Sequence, residues 1–252
     1  MLLNNFFFFF IIGAVIGSFL NVCIYRLPKN LDIISKRSFC PRCKKKIKWF
    51  DNIPLISFLI LKYKCRFCKK HISIQYFLVE LVSAVFLCLT FSLISNLLDL
   101  ILLSLIFYIF IVIFVIDLKN YIIPDSLNFS LILLGIIKNF FPETSLNLNQ
   151  DMFQTLIGGA IGYFLIWIII FSYKKIRSIE AMGLGDAKLL SGFGFLFGLK
   201  SVFIILFVAS IIGLAYSVPK LFTGKSSLKT AIPFGPFLII SAIVYYLYLS
   251  SL

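Results

Sequence analysis

Two kinds of residue in this chain have types and spacings that point to chemistry. The first is a set of four cysteines, paired as Cys40-Pro-Arg-Cys43 and Cys65-Arg-Phe-Cys68. A C-x-x-C turn aims two thiolates at one point, and two such turns about 20 residues apart complete a tetrahedron, as in zinc ribbons. Four protein ligands leave no open coordination position, so a Zn2+ held there is structural and not catalytic. The many Lys and Arg residues around the pairs favour thiolates and offset the charge of a zinc tetrathiolate. The competing reading, disulfides or a redox pair, is disfavoured for a loop in a reducing cytoplasm. His71, the only histidine, lies just past the second pair and reads as an interfacial residue rather than a fifth ligand.

The second kind is a set of acids at the ends of apolar runs, where a charge is costly and each acid is a functional candidate. Asp117 ends one run, in IDLKNYIIPD, and Asp186 opens another, in GLGDAKLL. Two facing carboxylates share a proton, so one can activate water as a base while the other, as an acid, polarises a scissile carbonyl. Gly183 and Gly185 precede Asp186 and could leave room for an extended substrate strand. They could equally mark a loop-to-helix junction, and Asp117 could be a boundary acid neutralised by Lys119. Asp125 follows Pro124 as a first-turn helix acid and ranks behind Asp117 as a substitute partner. Glu180, just before the G-x-G-D, either binds substrate or sits in solvent, and Glu80 falls inside an apolar run, an expensive position that implies a buried polar role. With one histidine and no H-E-x-x-H, serine–histidine and zinc-protease chemistry have no residues to use.

The elements that must position these residues are membrane helices. The chain is 61% hydrophobic and 13% charged, against about 25% charged in an ordinary soluble domain. Runs long enough to cross a ~30 Å hydrocarbon core predict about eight spans, near 6–25, 72–94, 97–116, 122–141, 152–171, 187–199, 201–218 and 232–249. The apolar stretch Ile53–Leu61 is too short to span, and packs on the basic loop or dips into the interface. Gly13, Gly17 and Ser18 give the first span a small-xxx-small packing face. That span has no preceding Lys or Arg and no cleavage site after it, so it reads as a retained helix. Cys23 and Cys88 read as ordinary buried residues.

Fourteen of the 24 Lys and Arg residues lie between Arg26 and Lys70. Basic loops mark the cytoplasmic side, so the net charge of +14 reads as topology and attraction to anionic lipid rather than nucleic-acid binding. An outside N-terminus then puts almost every basic residue and both Asp117 and Asp186 on the cytoplasmic side, with Lys138 and Lys200 as snorkelling exceptions. No repeat of 20–50 residues is expected. The reading is an all-α polytopic membrane protein divided into a first helix (1–25), a four-cysteine loop domain (26–71) and a membrane domain (72–252).

Taken together, several segments resemble the type IV prepilin peptidase (leader peptidase/N-methyltransferase) family. They are GSFLNVCIYRLP, the loop from Cys40 through Asp51-Asn52-Ile53-Pro54 to Cys68, Asp117 with Ile123-Pro124-Asp125, Glu180 to Lys188, and Ile232-Pro-Phe-Gly-Pro236. One departure is Tyr63, where the pattern leads one to expect a glycine. The resemblance implies an aspartic endopeptidase of the bacterial inner membrane. Asp117 and Asp186 would be its dyad, and it would cut a short basic leader from prepilin or pseudopilin substrates at the cytoplasmic face. It also implies methylation of the new N-terminus with S-adenosylmethionine, although no Rossmann-type glycine fingerprint is present. Two other classes remain: a non-enzymatic assembly factor using the zinc module as a docking surface, and a proton-coupled transporter, which would place acids at mid-membrane.

Overall fold

A computed structural model describes residues 2–34, 37–141, 144, 151–177, 182–222 and 232–250. The helices are α1 (Leu2–Arg26), α2 (Ile56–Ile60), α3 (Ile74–Leu93), α4 (Leu97–Asn120), α5 (Asp125–Ile137), α6 (Met152–Arg177), α7 (Leu184–Phe222) and α8 (Gly235–Ser250). The chain divides into two compact units, Met1–Val112 and Ile113–Leu252. The last turns of α4 belong to the second.

Among the described residues, five helices, α1, α3, α4, α6 and α7, are long and apolar enough to cross a membrane, and α8 is a shorter apolar helix. The sixth and seventh expected spans are one element, α7, which Gly198 divides. At φ 75° and ψ −175° this residue holds a conformation that a Cβ would oppose. Among the described residues, counting the halves of α7 separately and leaving out short α2 gives eight helical segments, as many as the spans expected from the sequence.

In the first unit, α1 packs on α3 through the glycine face. A Cβ at Gly13 would stand 2.7 Å from Ala84 Cα, and one at Gly17 2.7 Å from Glu80 Cα. Such approach gives van der Waals contact where water supplies no drive. Asn21, buried between the helices, donates to the Gly17 and Tyr76 carbonyls. Glu80 has the buried polar role its position implied: Oε2 accepts the Leu55 N–H at 2.7 Å, so it ties the loop domain to the span.

In the second unit, α7 packs against α5, α6 and α8. Its first half is held by backbone contact, Gly194 against Gly158 on α6 and Phe195 against Gly135 on α5. The break at Gly198 frees carbonyls that hydrocarbon cannot satisfy. Ser201 Oγ donates to the Gly198 carbonyl at 2.6 Å, and Lys138 Nζ donates to that of Leu196. Lys138 is therefore fully buried and does not snorkel as expected, because the broken helix offers an internal acceptor.

Candidate active site

Asp117 and Asp186 both lie in the second unit. Helix α4 runs to Asn120, past the expected end at Ile116, so Asp117 sits in its last turn, 4% exposed. Its Oδ2 accepts the N–H of Gly235, the first residue of α8, at 3.0 Å. Asp186, 8% exposed, lies in the first turn of α7, and its Oδ2 accepts the Gly183 N–H at 3.2 Å. Each carboxylate thus has one oxygen anchored by a backbone N–H.

Ile123 is the packing centre between them. A Cβ at Gly185 would lie 3.1 Å from Ile123 Cβ, and one at Gly235 3.2 Å from Ile123 Cδ1 and 2.7 Å from Asp117 Oδ2. Gly185 is needed for close approach to Ile123, not for positive φ, which among the described glycines belongs to Gly198 alone. At Gly183 a Cβ would meet nothing nearer than 3.6 Å, so packing does not demand glycine there. Gly235 is the site residue that motif reading named only as part of a signature. The available signal was Gly-Pro at the start of an apolar helix, with Pro236 suited to the first turn.

Gly235→Ala therefore pushes on the Asp117 carboxylate more than on the scaffold. We expect peptidase activity to fall ~10²-fold, the scale of an ångström misplacement, with melting temperature little changed. Equal losses of stability and activity would show a scaffold role instead.

Asp125 turns elsewhere. It is the first residue of α5, its side chain is 58% exposed, and it pairs with Lys188 Nζ at 2.6 Å. Exposed pairs of this kind contribute little to stability. Glu180 lies outside the described residues.

The four cysteines come together in the first unit. Their Sγ atoms all lie within 4.8 Å of one another, a donor set and size that fit one Zn2+. His71 is not part of this group. Each knuckle is built alike. Cys40 N–H donates to Lys45 and Lys44 N–H to Cys40; Cys65 N–H donates to Lys70 and Lys69 N–H to Cys65. Lys44 (φ 58°) and Lys69 (φ 56°) make the same left-handed turn. The same short C-x-x-C-Lys-Lys unit stands at residues 40–45 and 65–70.

Tyr63 adopts φ 61°, which explains why glycine is the residue expected there. Its ring packs on Phe58 at 5.0 Å in partial return. Arg66, inside the second knuckle, forms a two-pronged bond to Asp51 at 2.8 and 2.6 Å, which holds the Asp51 carboxyl below its ordinary range. Burial opposes ionisation of the Cys65 thiol, but N–H donation from Cys68 and Phe67 and bonds with Cys40 and Cys68 outweigh it and draw it down to about 7.

With this geometry in view, comparison with known proteins is decisive. The bacterial peptidase A24 N-terminal domain matches residues 11–94, and the type IV leader peptidase family matches residues 100–218. A prepilin leader peptidase/N-methyltransferase of Vibrio cholerae is 33% identical over 248 residues, 94% of each chain. The chain belongs to the type IV leader peptidase family. Other members named in the same way come from Xanthomonas campestris, 34% identical over 93% of this chain and 88% of its own, and Pseudomonas aeruginosa, 30% identical over 92% and 86%. No solved structure matches. Within the family's two matched regions, the cysteine module falls in the first and Asp117 and Asp186 in the second.

Proposed function

We propose that this leader-peptidase family member is an intramembrane aspartic endopeptidase of the bacterial inner membrane. It removes the basic leader from prepilin-like proteins at the cytoplasmic face and methylates the new N-terminus. The observation that carries the reading is the pair of buried carboxylates on α4 and α7, each anchored by a backbone N–H. In the reaction, the ionised member takes a proton from water as the water oxygen attacks the scissile carbonyl, while the protonated member donates to the carbonyl oxygen. Collapse of the tetrahedral intermediate breaks the C–N bond, and the leaving amine takes up the proton. The anchors hold Oδ2 of each carboxylate and leave Oδ1 for water and substrate. The test is cleavage of a prepilin-like substrate in membranes by wild type and dyad variants at matched expression. Full activity in both variants would favour the assembly-factor reading.

The outside N-terminus and the division into a first helix, the cysteine loop 26–71 and the peptidase region 72–252 are part of this proposal. So are Gly183, Gly185, Glu180 and Asp125 as substrate-loop residues. Cys40, Cys43, Cys65 and Cys68 would hold Zn2+, which supplies structural cross-linking of the loop. Purified protein should contain about one zinc per chain, and Cys65→Ser should lose most of it, because three protein ligands leave the tetrahedron open; metal analysis checks this, and wild type without zinc would sink it.

Methylation rests on the relatives' name. S-adenosylmethionine would supply the methyl group, and no step is derived through it.

A further inference from the structure

In helix α2, Phe58 points inward and stacks on Phe77 of α3 at 5.3 Å between ring centroids. The opposite face carries Ile56, Leu59 and Ile60, exposed by 55%, 55% and 70%. These positions lie at i, i+3 and i+4, a single helix face. Ile53, 39% exposed, precedes the helix, and Trp49, 75% exposed, stands in the neighbouring turn. Left in water, such a contiguous apolar surface would mark an interaction site.

The level at which this face is held says what covers it. The N–H of Leu55, immediately before α2, is bonded to Glu80. Glu80 lies six residues beyond Ile74, the first residue of α3, or ~9 Å along the helix at 1.5 Å per residue. Helix α3 is one of the helices long and apolar enough to cross a membrane. The start of α2 is therefore tied alongside the first turns of a span and not held out in water. Charge agrees with this placement. All eight lysines between residues 44 and 70 are exposed, and Asp51, the only acid in that stretch, is taken by Arg66.

We propose that α2 and the Trp49 turn form an interfacial docking face. The apolar side chains enter the headgroup–acyl boundary, and the surrounding lysines meet anionic lipid headgroups. An apolar face flanked by basic residues binds a charged bilayer surface by both terms together. The four-cysteine module is thereby fixed against the bilayer.

The chain has two tryptophans, so full-length protein carrying Trp167→Phe reports on Trp49 alone. It is reconstituted in phosphatidylcholine vesicles, with and without phosphatidylglycerol, using brominated acyl chains as quenchers. The expected result is strong quenching of Trp49 by lipid bromine and protection from acrylamide with phosphatidylglycerol present. Both should weaken in pure phosphatidylcholine, and Leu59→Asp with Ile60→Asp should restore acrylamide access while zinc content is retained. Trp49 open to acrylamide and unquenched in both lipids overturns the proposal. So does equal quenching in both lipids, which removes the role of charge. Protection that develops only on adding a prepilin substrate also overturns it, and assigns the face to substrate.

Discussion

Asp117→Asn and Asp186→Asn should each yield protein that inserts and melts like wild type yet cleaves a prepilin substrate ~10³-fold more slowly, within the range for loss of a positioned acid or base. Asparagine keeps the size of the side chain and an oxygen that can accept the Gly235 or Gly183 N–H, so the anchors seen at 3.0 and 3.2 Å need not be lost. What asparagine lacks is a carboxyl group that can give up or take up a proton near neutral pH. Because the two carboxylates act as one unit, the double variant should be scarcely slower than either single one. Asp125→Asn is the contrast: its carboxylate is exposed and engaged with Lys188, so activity should stay within a few-fold. The measurement is the initial rate of leader removal in membranes. A normal rate in either dyad variant would exclude that residue from catalysis and make Asp125 the next candidate.

Gly194→Ala should have the largest effect on stability. Its Cβ would fall 2.1 Å from the Gly158 carbonyl oxygen and 2.7 Å from the Gly159 nitrogen. Those are backbone atoms of α6, and no side-chain rotation relieves the overlap. The half of α7 carrying Asp186 would have to separate from α6, a loss of about 3 kcal/mol, at the upper end for overpacking. Gly213→Ala, farther along the same helix, meets only ring atoms at 3.4 Å or more and should be mild. Thermal unfolding in detergent compares the two. Similar melting temperatures would show that the α6–α7 contact is looser than described.

How much of this was legible follows from where the information resides. Cysteine spacing specifies a metal site because ligand geometry constrains a few neighbouring residues, and the four sulfurs do converge. Hydropathy specifies helices because lipid forces internal hydrogen bonding. The division between the sixth and seventh segments was legible, but not that they form one broken helix, since Gly198 reads like any other glycine until its φ is known. The proposed pairing of Asp117 with Asp186 was reasoned from their expected shared side of the membrane, and both fall in the second unit. The Gly235 anchor could not, because it joins residues 118 positions apart through a backbone group with no side-chain signature. Lys138 misled for a related reason: a lysine near a helix end normally reaches water, and the acceptor that holds it inside exists only because α7 is broken.

That buried lysine has a consequence for how the chain is made. Helix α5 has 13 residues, ~20 Å of helix at 1.5 Å per residue, too short for a ~30 Å core. A lysine at its end adds to the cost of placing the segment in hydrocarbon. Its acceptor, the Leu196 carbonyl, is synthesised 58 residues later. The bond that holds Lys138 inside the protein therefore forms only once the first half of α7 has been made.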